Sequence, residues 1–154
     1  MSARRMEDTL ERIRESHRAF CSHMQAPAPD AAIERLQRES ARRFGLRVPE
    51  RYCHLLRLAD GVEWNSARFY GTQSLAYVDH PERVLPGVLE KTDEWWPRRH
   101  KLVLGAIEDQ CFFYDANLSE YQAYIVGDGE PYRRFKEFDA LFDYALEGRW
   151  PEGA

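Results

Sequence analysis

The sequence predicts an α+β protein, in which a central antiparallel sheet has N-terminal helices and a C-terminal helix packed mainly on one side. Apolar side chains recur at helical spacing through the first 60 residues, and short aromatic-rich segments bounded by turn residues follow. A helical stripe then returns near residue 140. Helices, then strands, then a helix is typical of a sheet with helices on one face. A chain of 154 residues fits a single domain spanning 1–154.

The first predicted helix covers residues 5–24 of an N-terminal region, 1–26. Its apolar stripe recurs at steps of three and four residues and consists of Met6, Leu10, Ile13, His17, Phe20 and Met24. The segment QAPAPD follows, and its two prolines end the helix.

Two further helices follow before residue 61. Asp30 is suited to cap the second helix, and Gly45 to end it in a left-handed conformation. Val48-Pro49 begins the third helix, since proline is tolerated in a first turn. We expect Gly61 to end that helix.

The middle of the chain predicts short strands. ARFYG and SLAYV read as the first two, whereas residues 81–97 could form a helical turn or a loop. KLVLGAIE and QCFFYD predict adjacent strands joined at Glu108-Asp109. YQAYIV and PYRRF predict a hairpin with a tight turn at 127–129, and EFDALFDYALEG predicts a closing helix capped by Gly148.

The net charge of −4 is unevenly distributed along the chain. Residues 1–54 hold 11 Lys/Arg and 8 Asp/Glu, whereas residues 55–154 hold 11 and 18. In the basic part, arginines alternate with glutamates at helical spacing, which is typical of a solvated helix face rather than a nucleic-acid surface. The acidic remainder favours a basic partner, and we expect no nucleic acid.

The composition also bears on location. The sequence holds no run of about 18 apolar residues, so we expect no membrane span, and the N-terminal stretch does not resemble a secretory signal. Cys21, Cys53 and Cys111 are odd in number and form no CxxC pair. Reduced thiols in a cytoplasmic protein are the expectation.

The motifs of common catalytic sites are missing from the sequence: it contains no GxGxxG, Walker loop, GxSxG or HExxH. His17, Cys21 and His23 could begin a metal site, but a core histidine and a buried thiol explain the first two, so we expect no metal or cofactor. His54, His80 and His100 show no triad order with a serine or cysteine.

Carboxylates and aromatic residues are the remaining candidates. Acids occur near predicted turns, where they could serve a hydrolase or simply form turns: Asp60, Glu63, Glu108, Asp109 and Asp115. Aromatic residues cluster in the middle of the chain: Trp64, Phe69, Tyr70, Tyr77, Trp95 and Trp96. Adjacent tryptophans cannot both point inward from one regular element, so we expect partial exposure of Trp95 or Trp96. Exposed aromatic rings beside charges are typical of protein-binding hot spots.

Residues 32–71 contain a helix ending in Phe-Gly, a Val-Pro link, a helix with Pro-x-x-Tyr-x-x-Leu-Leu, and Asp-Gly before a strand. This order resembles the SUKH superfamily, which includes the yeast Smi/Knr cell-wall regulator. Asp60-Gly61, 63–65 and 69–71 are similar to its bacterial YrhA-like branch. The later VLGAIEDQCFFYDANLSEYQAYIVGDGE and FDALFDYAL also fit, so the resemblance covers about 30–147.

The resemblance implies a non-enzymatic α+β binding domain, whose bacterial members are regarded as immunity proteins against toxins of contact-dependent and type VI secretion systems. We therefore expect a cytoplasmic inhibitor that binds a cognate toxin with a basic surface. A housekeeping scaffold or regulator that binds an endogenous partner, and a carboxylate-based hydrolase, are the alternatives. The candidate partner-binding residues are Asp60, Glu63, Trp64, Asn65, Tyr70, Trp95, Trp96, Glu108 and Asp109.

Overall fold

The computed structural model describes residues 2–20, 22–95 and 100–146. Within these ranges the chain forms α1 (Ser2–Ala19), α2 (Asp30–Phe44), α3 (Glu50–Leu58), β1 (Val62–Trp64), β2 (Ala67–Phe69), β3 (Leu75–Ala76), β4 (Val84–Leu85), α4 (Val88–Glu94), β5 (Lys101–Ile107), β6 (Gln110–Asp115), β7 (Glu120–Ile125), β8 (Arg133–Phe135) and α5 (Phe138–Leu146). Six strands form one sheet in the order β1-β2-β5-β6-β7-β8, and every pair in it is antiparallel. The α+β class is confirmed.

The central strands β5, β6 and β7 are buried along nearly their whole length, which indicates cover on both faces of the sheet. Phe112 and Phe113 are neighbours on β6, so their side chains point to opposite faces. Phe112 contacts Tyr144 of α5, with 6.3 Å between the ring centroids. Phe113 contacts Trp95, the residue after α4, at 5.7 Å. The C-terminal helix therefore covers one face, and α4 covers part of the other.

Helix α3 is fixed to the sheet by Tyr52, which is fully buried. Its hydroxyl group bonds to the carbonyl oxygen of Tyr70 and lies 3.0 Å from that of Leu104. The ring also meets Phe138 of α5 edge to face at 5.2 Å. One side chain of α3 thus joins the helical layer to β5 and to the residue that follows β2.

Helix α1 is shorter than the sequence predicts, because it ends at Ala19. Met6, Leu10 and Ile13 are buried as the stripe requires. Phe20 lies beyond the helix with 79 % of its surface exposed, so its assignment to the buried stripe was wrong. Met24, which packs partly against the core, also lies outside the helix.

The N-terminal ends of α2 and α3 lie one residue away from their predicted positions. Pro29 occupies the N-cap position of α2, and its carbonyl oxygen accepts the first helical N–H bonds. Asp30 is the first helical residue rather than the N-cap, so its predicted capping role was wrong. Gly45 ends α2 with φ 67°, as predicted. Pro49 is likewise the N-cap of α3 rather than a residue of its first turn.

Gly61 lies three residues beyond the end of α3 and has a φ of 97°. Ala59 is already extended, so Gly61 directs the chain into β1 rather than ending the helix. Strand β1 was not predicted. In the ambiguous segment 81–97 the chain forms β4 and α4.

The two predicted pairings, β5 with β6 and β7 with β8, are confirmed. Strand β6 also pairs with β7, which joins the two hairpins into one sheet. Glu108 has a left-handed φ of 49° at the β5–β6 turn. The tight turn expected at 127–129 is instead a longer connection, 126–132, because Tyr132 turns back to donate its N–H to the carbonyl of Ala123. The predicted cap Gly148 lies outside the described residues.

In the described ranges, no helix is long and apolar enough to cross a membrane. Cys53 and Cys111 are thiols in buried positions, and burial raises the pKa of Cys53 to about 11. Cys21 lies outside the described residues.

Candidate functional site

Three connections lie side by side at one end of the six-stranded sheet. They are the β1–β2 turn at 65–66, the β5–β6 turn at 108–109 and the β7–β8 loop at 126–132. The backbone N–H of Val126 donates to the carbonyl of Asp109 at 2.8 Å, which joins the second connection to the third. We call these three connections the turn end of the sheet.

The turn end combines acidic groups with exposed apolar surface. Its exposed carboxylates are Glu108, Asp109, Asp128 and Glu130. Val126 and Tyr132 lie in the same loop, with 56 % and 58 % of their surface exposed. An exposed aromatic side chain among acidic groups can bury apolar area against a partner, while the acidic groups favour a partner with a basic surface.

Two arginines follow the turn end in β8, but both are engaged elsewhere. Arg133 lies over the rings of Phe135 and Tyr144, at 5.5 and 5.0 Å. Arg134 donates to Glu120 at 2.5 Å. Since these two cations are held along the strand, the turn end keeps its acidic character.

Backbone geometry fixes the shape of the turn end. Asn65 and Ser66 have φ angles of 47° and 75°, and Gly127 has a φ of 98°. For Asn65 and Ser66 this left-handed region of backbone conformation is narrow, whereas glycine adopts a positive φ readily. The Tyr132–Ala123 backbone bond, at 2.7 Å, closes the far side of the third connection. A partner would therefore meet loops that are held at both ends.

Among the nine candidate residues, Asn65, Glu108 and Asp109 come together at the turn end and are exposed. Asp128, Glu130, Val126 and Tyr132 belong to the same surface, and the sequence reasoning missed them. The signal was present, because Val-Gly-Asp-Gly-Glu-Pro-Tyr is too polar and too rich in glycine and proline for a strand. Because a tight turn was expected at 127–129, the full length of the loop was not predicted.

Asp60 and Tyr70 are buried, with 6 % and 4 % exposed. The Asp60 carboxylate accepts bonds from the backbone N–H and the hydroxyl of Thr72, at 2.7 and 2.8 Å. Burial raises the pKa of Asp60 although these bonds lower it, and burial raises the pKa of Tyr70 to about 12. Both side chains face the interior and support the fold.

Glu63 and Trp64 of β1 are half-buried. The Glu63 carboxylate lies 3.4 Å from Arg68 and 3.7 Å from Arg83. The Trp64 ring meets His17 of α1 at 5.9 Å. Trp64 therefore connects β1 with helix α1, whereas Glu63 pairs with arginines of β2 and of the segment before β4.

Trp95 lies away from the turn end. It follows α4 and packs edge to face on Phe113, which pairs with Val103 near the opposite end of β5. The ring is half-buried and fastens α4 to the sheet. Trp96 lies outside the described residues. The expectation that one of the two tryptophans is partly exposed can therefore be compared with the structure only at Trp95, which is half-buried.

Near the opposite end, a buried polar network links three strands. The Lys101 ammonium donates to Gln122 at 2.9 Å and to the Tyr124 hydroxyl at 2.5 Å, and it lies 3.7 Å from Asp115. Asp115 also accepts the backbone N–H of Asn117 at 2.9 Å. The network satisfies its own charges and fixes the register of β5, β6 and β7.

The carboxylates considered for a hydrolase are distributed over separate places. Asp60 and Asp115 are buried in different networks, whereas Glu108 and Asp109 lie at the turn end. Among the described residues, no group of three or more His, Cys, Asp or Glu side chains could hold a metal ion. His17 bonds to Ser22, and His23 bonds to Asp79.

No protein-family model matches the sequence. A comparison with curated proteins gave no match either.

Proposed function

We propose that this protein is a cytoplasmic protein-binding module, most simply an immunity protein that binds and neutralises a cognate bacterial toxin. The observation that carries this proposal is the turn end, where exposed Val126 and Tyr132 stand among four carboxylates. The order of motifs that resembles the SUKH superfamily supports the same function.

The toxin surface that the turn end fits is basic. The chain carries a net charge of −7 after residue 54, from 11 Lys/Arg and 18 Asp/Glu, so it attracts a basic partner over a distance of about one Debye length, roughly 8 Å at physiological salt. Contact with Tyr132 and Val126 then removes apolar area from water, which slows dissociation. Binding at a nuclease or another basic catalytic cleft would block its substrate.

The proposal is tested by co-expressing the protein with a toxin encoded beside its own gene. The protein should restore growth, and charge reversal at the turn end (Glu108→Lys with Asp109→Lys) should abolish the rescue. Asp8→Lys with Glu15→Lys is the matched control, because it changes the net charge equally on an exposed part of α1. Equal rescue by both double variants would contradict docking through the turn end.

The same experiment separates the two kinds of partner. The protein could instead neutralise none of the toxins encoded beside its gene and yet bind one of the cell's own proteins through the turn end. That result would replace immunity with the regulatory alternative. Both functions depend on protein binding at this surface.

A further inference from the structure

A pocket of about 200 Å³ lies between α1, residues 22–25, the start of β1 and residues 77–83. Pockets for cofactors and drug-sized ligands are typically about 300–1,000 Å³, so this one is the size for a single side chain. It lies beyond Trp64 from the turn end, since the Trp64 ring packs on His17, which lines the pocket.

One wall of the pocket is apolar. Its accessible part consists of Met24 and Val78, whereas Ile13 and Val62, which also line it, are buried with 0 % and 3 % of their surface exposed. Val78 is 52 % exposed, and Phe20, between the lining residues His17 and Ser22, is 79 % exposed. Such a wall suits the hydrocarbon stem of a long side chain, which covers apolar surface while its polar end reaches a charged group.

Asp79 supplies the charged group. Its carboxylate accepts bonds from the backbone N–H and the ring Nδ1 of His23, at 2.6 and 2.9 Å, and 31 % of its side chain is exposed. The hydrogen bonds from His23 lower the pKa of Asp79, so the group is ionised at neutral pH. Burial lowers the pKa of the nearby His17, which keeps that ring uncharged at neutral pH.

The pocket already accommodates one guanidinium group of the chain itself. Arg83 lies over the Tyr77 ring, at 5.0 Å, and its Nη2 is 3.7 Å from Glu63. This cation lies near the Glu63 carboxylate, whereas the Asp79 carboxylate bonds to His23.

We propose that the pocket receives a lysine or arginine side chain of the partner protein, with its stem on the apolar wall and its cationic head on Asp79. That the cation comes from a protein partner rests on the proposed function; recognition of the cation by the pocket does not. The pocket would add a second recognition element to the docking surface, on the far side of Trp64 from the turn end.

The test uses N-acetyl-arginine methylamide and N-acetyl-lysine methylamide as probes. Their binding is measured from changes in the backbone amide chemical shifts of the isotope-labelled protein. N-acetyl-citrulline methylamide has nearly the shape of the arginine probe but no charge. We expect millimolar binding of both charged probes, with shifts at Met24 and Val78, and binding of the citrulline probe about tenfold weaker, because a hydrogen bond to a charged group contributes about 1.5 kcal/mol or more. Equal binding of the arginine and citrulline probes, or shifts confined to other surfaces, would overturn the inference.

Variants sharpen the test. Asp79→Asn should weaken binding of the arginine probe about tenfold, whereas Arg83→Met should strengthen it by removing a like charge. Glu82→Gln is the matched control, since this exposed acid changes the charge equally and does not line the pocket. If Asp79→Asn and Glu82→Gln have the same effect, the charge of the surface rather than the pocket binds the probe, and the inference fails.

The two proposals fail differently. If the probes bind as expected but no protein partner depends on the turn end, the pocket stands and the proposed function falls. If a toxin binds through the turn end but the probes do not distinguish charge, the function stands and this inference falls.

Discussion

Arg51 of α3 and Asp139 of α5 are joined by two parallel hydrogen bonds, Nε to Oδ1 at 2.7 Å and Nη2 to Oδ2 at 2.9 Å. Asp139 is 4 % exposed, so its charge depends on this partner. The same guanidinium group also donates to Glu7 of α1, at 3.0 and 3.2 Å. One cation thus holds three helices together.

Replacing Arg51 with Met should destabilise the protein by about 3 kcal/mol, because removal of one partner leaves a buried charge without compensation. Urea denaturation gives the free energy of unfolding. The double variant Arg51→Met with Asp139→Leu should recover a large part of the loss, since it removes the orphaned carboxylate. A double variant as unstable as the single one would contradict this account.

Stability should fall as the pH drops through the acid range, in part through Glu7. Burial raises the pKa of Glu7, but the hydrogen bonds from Arg51 and His54 outweigh it, so the pKa in the folded state is lowered. The stabilisation is therefore present above the unfolded value of about 4.3 and is lost as the pH falls through the folded value. Glu7→Gln should show a shallower decline of the urea midpoint below pH 5 than the unaltered protein. Parallel profiles would show that Glu7 is not involved.

Gly61→Ala should cost more stability than Gly127→Ala, although both glycines have nearly the same positive φ, 97° and 98°. A Cβ atom at Gly61 would lie 2.5 Å from Cδ2 of Leu85, whereas at Gly127 it would meet nothing within 4 Å. The left-handed strain alone costs about 1–2 kcal/mol, so the difference between the two variants measures the collision. Gly61→Val should be worse still, through β-branching. Equal midpoints for the two alanine variants would mean that β4 moves aside without cost.

Trp95 and Tyr132 should separate folding from binding. Trp95→Ala should lower the free energy of unfolding by about 2 kcal/mol, because the ring packs on Phe113 and a fully buried tryptophan would cost about 3–5 kcal/mol. Tyr132→Ala should leave the urea midpoint nearly unchanged and speed dissociation from a cognate partner, by about 2 kcal/mol if the ring is a hot spot. A stable Trp95→Ala with weakened binding would instead place the interface at α4.

Salt should act on association more than on dissociation. Glu108→Lys with Asp109→Lys should slow association and flatten its dependence on ionic strength, since exposed charges steer encounters and are screened by salt. Stopped-flow association between about 50 and 300 mM salt would measure this, with Asp8→Lys and Glu15→Lys as the control. A steeper salt dependence in the turn-end variant would exclude a basic partner surface.

The sequence predicted the elements whose local signals agree with their packing. Apolar side chains at helical spacing and the glycine that follows them predict α2, and this helix buries Ile33, Leu36 and Ser40. Strands β5 and β6 were recognisable because they are long and apolar. The prediction for Phe20 was wrong because the apolar residues keep their helical spacing past Ala19 in the sequence, whereas the helix ends at that residue.

The candidate site was predictable only in part. Glu108 and Asp109 were found because a turn between two strands is a local feature. That Asn65 and Tyr132 lie at the same end depends on strand order, which a sequence does not state. Asp60 was misjudged because nothing in its neighbours reveals that Thr72, twelve residues later, supplies two bonds to its carboxylate.

Because Phe112 and Phe113 fix helices on opposite faces of the sheet, the middle of the sheet has almost no surface left on which a new partner could be recognised. Its connections, by contrast, can exchange charged and aromatic side chains without repacking a single central strand. Under the proposed function, the binding specificity of this fold could therefore change through substitutions at a few loop residues, while the folded interior stays the same.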